Sequence, residues 1–148
     1  MMGPSSRQVS PPGSGERPSL RPILMQGVPA PSPPYSPAIA AAGFVFVSGQ
    51  RPQDATTGVI PEGFSAQAHQ VFRNLAAILK AGGSGLDRVV KVNVYLADLQ
   101  GFAELNAIYE QYFRPPYPAR TTVGCNLRGI LIEVDVVALE HGGEEAHV

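Results

Sequence analysis

Residues 130–139, Ile-Leu-Ile-Glu-Val-Asp-Val-Val-Ala-Leu, constrain this chain more than any other stretch. Successive residues on a strand point to opposite faces. Ile130, Ile132, Val134 and Val136 therefore share one face, and Leu131, Val137 and Leu139 share the other. Phe44-Val45-Phe46-Val47 is apolar on both faces in the same way. A sheet built from such strands needs cover on both sides, because soluble proteins avoid large apolar patches in water.

The supply of cover is small. Residues 64–81 place Phe64, Ala68, Val71, Phe72, Leu75, Ile78 and Leu79 on one helical face, and Gly82-Gly83 stops the helix. Asp98 caps a second helix that buries Phe102, Leu105, Ile108, Tyr109 and Tyr112 and ends at Pro115, Pro116 and Pro118. Strands are expected as a pair turning near Gly43 within 40–49, then at 89–98, 119–126 and 130–139. Val59-Ile60, after turn chemistry at Asp54 to Gly58, is a candidate short strand. The order β-β-(β)-α-β-α-β-β describes an α+β domain, a sheet of five or six strands with two helices on one face. The other face is left for further copies of the chain. The sequence predicts a homo-oligomer.

Ten of the fifteen prolines fall in the first 37 residues, and no apolar periodicity begins before Ile23. Residues 1–22 are read as a disordered Pro/Ser/Gly-rich tail, which cannot bury enough surface to offset its ordering entropy. Residues 23–140 form the domain, and 141–148 a polar C-terminal tail. The tail has no apolar core for a secretory signal, and its prolines spoil an amphipathic presequence. The longest uncharged apolar run, Ala38 to Val47, is about half of a membrane span. A cytoplasmic protein without a membrane partner is expected. The net charge is −1, and residues 38–148 carry eight basic against eleven acidic side chains. Gripping phosphate backbones needs a basic surface, so nucleic acid is not the expected partner.

Several kinds of chemistry drop out. A single cysteine, Cys125, rules out an intrachain disulfide or a thiol-based zinc cluster and is expected to be buried and inert. His69, His141 and His147 share no ligand spacing, so no metal is expected. Gly82 to Gly85 ends a helix instead of opening one, which is wrong for a phosphate loop. No cofactor is expected.

Two acids stand out. Glu133 and Asp135 share a face with Leu131, Val137 and Leu139. Burying a carboxylate there is costly unless it is paired or hydrogen-bonded. A strand-end or edge position that leaves both acids wet is the alternative, and it fits Glu133 less well because that residue lies nearer the middle of the apolar stretch. Arg120, presented by Pro-Pro-Tyr-Pro-Ala, lies on the preceding strand. Its planar fork suits a ligand carboxylate or phosphate. A structural salt bridge with Glu133 on an adjacent strand explains the same residues, and both readings stand at this level.

Six blocks in order give a family resemblance. They are PPYSPAI (33–39), GFVFVSGQ (43–50), NLAAILKAGG (74–83), VVKVNVYLADLQGFAELNAIYEQYF (89–113), PPYPARTTV (115–123) and IEVDVVAL (132–139). Together they resemble the Rid family, the reactive intermediate deaminases, also called the YjgF or liver perchloric-acid-soluble protein family. The resemblance implies a chorismate-mutase-like α+β fold assembled as a homotrimer, with ligand sites in clefts between subunits. It implies hydrolysis of 2-imino acids, or their enamine tautomers, to 2-keto acids and ammonia. Arg120 would hold the substrate carboxylate, and Glu133 would position and activate the attacking water. Tyr35 would wall the pocket from a neighbouring subunit, with Ser48 and Asn106 lining or supporting it. Thr122 stands where archetypal members often carry cysteine, and its hydroxyl would contact the imine or the water. Such chemistry suits the residues, because a protonated imine carbon needs only water, a carboxylate and an orienting arginine. The alternatives are a non-catalytic ligand-sensing or chaperone-like trimer and, further off, an endoribonuclease or translation inhibitor.

Overall fold

The computed structural model describes residues 19–141. The expected tails at 1–22 and 141–148 therefore lie outside the described residues up to 18 and after 141. Helix α1 spans Phe64–Ala81 and buries Ala68, Val71, Phe72, Leu75, Ile78 and Leu79. It ends as the glycines require. Gly83 takes a positive φ of 72° while its N–H bonds Lys80 O and the Ser84 N–H bonds Leu79 O, at 3.1 and 2.8 Å. A left-handed residue closing two such bonds is the Schellman ending, and glycine adopts it without steric cost.

Six strands form one sheet: β1 (Arg21–Ile23), β2 (Ala38–Ala41), β3 (Phe44–Gln50), β4 (Val89–Leu96), β5 (Ala119–Gly124) and β6 (Ile132–Leu139). Their order is β1-β2-β3-β6-β4-β5. Only β4 and β5 are parallel. Asp98 caps a short 3-10 turn, Leu99–Gly101, accepting from the Gln100 N–H at 2.9 Å, and helix α2 follows over Phe102–Tyr109. Both helices bury their apolar sides in one core with Val45, Val47, Val92, Val94, Ile132, Val134 and Val136. The cover is one-sided, as the helix count requires.

Four expectations need correction. Arg21 and Pro22, assigned to the tail, pair with Ala40 and Ile39, while Ile23 is buried. β1 is an edge strand, where a proline's missing N–H breaks no ladder. The sixth strand is thus β1, and Val59 and Ile60 are exposed outside any strand. Cys125 is exposed just past β5. Most consequential, β5 does not neighbour β6. Parallel strands need a long crossover, and the α2 connection carries β5 to the outer edge of β4. The last strand then enters the gap between β4 and β3, so β6 is central.

The uncovered face follows from the register. Phe44 opposes Leu139 and Phe46 opposes Val137 across β3 and β6, with the two phenylalanine rings 6.2 Å apart. Phe44 and Phe46 are 36% and 46% exposed, and Val123 on β5 is 42% exposed. In the middle of this face Asn93 donates to Asp135 Oδ1 at 2.8 Å, and the Tyr95 hydroxyl bonds the same carboxylate, holding its own pKa above the ordinary value. Asp135 is therefore a hydrogen-bonded residue of the central strand, not a wet strand end. Its partners come from β4, which supplies the compensation that a carboxylate among apolar neighbours needs.

Candidate functional site

Strand parity decides where the candidate residues go. On β5, Arg120 pairs with Val92 and Thr122 with Val94, both core residues under the helices. Arg120 and Thr122 thus sit on the helix-covered face, at the sheet's edge. On β6, Glu133 alternates with buried Ile132 and Val134 and pairs with Tyr95, so it lies on the uncovered face. Arg120 and Glu133 are on opposite faces of the sheet with β4 between their strands. The salt bridge between them within one chain is ruled out.

Arg120 is held on three sides. Its Nη2 donates to Asn106 Oδ1 at 2.8 Å. The guanidinium carbon lies 4.7 Å from the Tyr109 ring centroid and 5.5 Å from that of Phe102. Contacts of this kind contribute roughly 0.5–2 kcal/mol each and fix the plane of the fork. Phe102, expected on the buried face of α2, is 44% exposed because it lies beside the arginine instead of in the core. Asn106, Tyr109, Glu110, Tyr117, Pro118 and Arg120 line a cavity of about 300 Å³. Burial pushes the Tyr109 phenol up to about 12, although the nearby Arg120 charge acts the other way. The Tyr109 hydroxyl and the Thr122 hydroxyl are both buried without a hydrogen-bond partner. Such orphans are uncommon in a native interior; Tyr109 lines the cavity, and Thr122 shares the helix-covered face of β5 with Arg120.

The second group gathers around the end of β3. Ser48 donates to Ser36 O at 2.6 Å, and its N–H bonds Pro37 O at 2.9 Å. These two bonds fasten the proline-rich loop that carries Tyr35, itself 55% exposed. The β3–β6 register shifts between Val47 and Gln50, a bulge that includes Gly49. A methyl group built on Gly49 would lie 3.1 Å from Glu133 Cδ. Gly49 is therefore the platform on which the Glu133 carboxyl rests. That carboxylate has no hydrogen bond or ion pair among the described residues.

The structure thus brings Arg120, Asn106 and Thr122 together, and separately gathers Glu133, Ser48 and Tyr35. Sequence reasoning did not single out Gly49, nor the placement of Tyr109 and Phe102 against Arg120. An isolated glycine inside an apolar strand signals a bulge or a close backbone approach, and Gly49 carried that signal. Among the described residues no three His, Cys, Asp or Glu side chains gather as metal ligands would. His69 hydrogen-bonds the Tyr112 hydroxyl at 2.6 Å.

The family model described as endoribonuclease L-PSP matches residues 25–140 of this sequence. The chain belongs to the Rid/YjgF family. Solved RidA and YjgF proteins share its fold. The RutC family protein PH0854 of Pyrococcus horikoshii is 42% identical, over 78% of this chain and 94% of that protein. The mitochondrial protein MMF1 of Saccharomyces cerevisiae is 39% identical, over 82% of this chain and 86% of that one. The crystal structure of Escherichia coli TdcF with bound serine superimposes with a TM-score of 0.75 at 31% identity, covering 81% of this chain and 98% of TdcF. The Rid/YjgF assignment agrees with the six sequence blocks and with the six-stranded mixed sheet and two helices. No helix among the described residues is long and apolar enough to cross a membrane.

Proposed function

We propose that this protein hydrolyses 2-imino acids and their enamine tautomers to 2-keto acids and ammonia, in sites completed between copies of a homotrimer, in the cytoplasm. The observation that carries the reading is the split of the candidate residues. A clamped arginine fork lies on one face of the sheet, and an unpaired carboxylate lies on the other. Each is half of a site, and a second copy of the chain supplies the missing half. The apolar uncovered face gives the copies a reason to associate. The serine bound in TdcF supports a small amino-acid-like ligand.

In this mechanism Arg120 grips the substrate carboxylate, and Asn106 holds the fork in place by its 2.8 Å bond. Glu133, from the neighbouring copy, takes a proton from water as that water attacks the iminium carbon. The C–O bond forms, and the former C=N electron pair stays on nitrogen. Glu133 returns its proton to nitrogen, and the C–N bond breaks with its electron pair going to nitrogen. The hydroxyl oxygen closes the C=O as Glu133 takes the hydroxyl proton, and ammonia carries that proton away as ammonium, leaving the keto acid. Thr122 offers its hydroxyl to the nitrogen or the water, and Tyr35, on the loop fastened by Ser48, walls off solvent. No resident metal or cofactor is needed.

The test is a pair of substitutions read by two assays. Arg120→Lys keeps the charge but loses the fork, at a cost of about 2–4 kcal/mol in kcat/KM for 2-iminopropanoate made in situ. Glu133→Gln keeps shape and ligand binding while turnover falls roughly 100-fold. Glu133→Gln should melt as the parent does, because its carboxylate has no partner among the described residues, whereas Arg120→Lys should melt somewhat lower through loss of the Asn106 bond and the ring contacts. A stable, trimeric Glu133→Gln protein with full turnover removes Glu133 from the mechanism and leaves a ligand-binding trimer. The endoribonuclease of the family model's description is tested by RNA affinity against salt: tight, steeply salt-dependent binding would favour it.

A further inference from the structure

A second cavity, of about 370 Å³, lies between the N-terminal segment and the loop that follows β3. Leu24, Met25, Val28, Pro37 and Ile78 give it aliphatic walls, and Gln50, Gln53 and Asn74 add polar ones. Arg51 is the cation on its rim, and Asp54 the acid. Asp54 is already committed: its Oδ1 accepts the N–H groups of Thr56 and Thr57 at 2.8 and 2.9 Å. The guanidinium of Arg51 has no hydrogen bond or ion pair among the described residues. Its backbone is nevertheless fixed, since Asn74 Nδ2 on α1 donates to Arg51 O at 3.0 Å and to Gln53 O at 2.8 Å. An exposed, unpaired arginine on a fixed stretch of backbone, at the mouth of a cavity with aliphatic walls on one side, suits an anion carried on an aliphatic stem.

Asn74 and Ile78 of α1 put the cavity on the helix-covered side of the sheet, and it meets the Glu133 half of the candidate site through shared walls at the end of β3. Tyr35 and Gly49 line it, and Gly49 also supports the Glu133 carboxyl, 3.1 Å from where its own methyl would be. We infer that this cavity takes the side chain of the substrate, and that Arg51 selects 2-imino acids ending in a second carboxylate, of which the imine of glutamate is the type. The inference rests on the proposed deaminase reading for its substrate, but the cavity is testable without turnover. The reaction is unchanged: water adds, ammonia leaves, and the distal carboxylate is only bound. Arg120 would hold the carboxylate beside the reacting carbon, and Arg51 the far one.

The full chain and Arg51→Met are compared on imines generated in situ from glutamate, leucine and alanine. Arg51→Met should lower the glutamate-to-alanine ratio of kcat/KM by about 10-fold or more, as for loss of a charge-assisted hydrogen bond. Arg51→Lys should recover part of that ratio. Leucine, which fills the cavity without a charge, should keep its ratio to alanine. Glutarate binding by calorimetry gives a readout free of chemistry, and should weaken by a similar factor in Arg51→Met while butyrate binding does not. Absence of turnover on every imine, with Arg51-dependent glutarate binding, would sink the deaminase reading and leave the pocket standing. A parallel fall for all three imines, or glutarate binding indifferent to Arg51, would overturn the pocket.

Discussion

Replacing Gly49 by alanine isolates the placement of Glu133 from every other role. Gly49 is absent from the residues at positive φ, so its backbone accepts a side chain. The added methyl would stand 3.1 Å from Glu133 Cδ and 3.3 Å from both Cγ and Oε1, where ordinary contact begins at 3.4 Å. The carboxyl must therefore give way by a few tenths of an ångström. A misplacement of about 1 Å costs about 100-fold in rate, so this shift should cost roughly 4- to 10-fold in kcat. Stability should hold or rise by about 0.4–1 kcal/mol, because alanine narrows the unfolded ensemble. Gly49→Val adds bulk at the same point and should cost more turnover. Steady-state hydrolysis of 2-iminopropanoate and thermal melting on the same preparations read both quantities. If kcat stays within about twofold while the protein melts normally, the position of Glu133 does not set the rate and the reasoning fails.

Phe46→Asp puts a charge on the uncovered sheet face and should dissociate the assembly. Light scattering should then report about 15.6 kDa, against three times that for the parent, and hydrolysis should vanish with the trimer. A parent protein that scatters as a monomer at micromolar concentration would contradict the assembly. In an alkaline absorbance titration the Tyr109 phenol should ionise last, near 12 against an ordinary 10, and Tyr109→Phe should remove that step while leaving the raised step of Tyr95. Because the folded pKa is the higher one, the stabilisation attached to Tyr109 is complete below pH 10 and is lost as pH rises through about 12. Tyrosines that all ionise together near 10 in folded protein would refute the burial argument.

Local pattern made α1 and its glycine stop legible residue by residue, because a 3.6-residue period and a left-handed ending are properties of a short segment. The two-faced strands were legible for the same reason, and with them the uncovered side of the sheet. Strand neighbourhood was not. β5 and β6 are close in sequence, yet the α2 crossover sends β5 to the far side of β4, a tertiary outcome that the short link conceals. Once that adjacency was misjudged, a bridge between Arg120 and Glu133 looked reasonable, though counting faces against the observed register forbids it. The alternatives for Asp135 stayed open for a related reason: Asn93 and Tyr95, which satisfy it, lie about forty residues away and become partners only through register. β1 escaped notice because three residues containing a proline carry almost no pattern. Phe102 shows the limit from the other side. Its spacing fits the apolar face of α2, but at the first turn of the helix that face has already left the core and meets Arg120.

The separation of Arg120 and Glu133 onto opposite faces of one sheet also has a genetic meaning. When a site draws its arginine from one chain and its carboxylate from the next, each chain can be defective in a different half. A chain lacking the arginine still lends its carboxylate, and a chain lacking the carboxylate still lends its arginine. Two alleles that are each null alone would then complement when co-expressed, since mixed assemblies contain some interfaces with both halves intact. A double defect carried on a single chain would instead spoil both of the interfaces that chain enters, so an equal mixture with the parent chain would keep fewer than half of the parent's active sites.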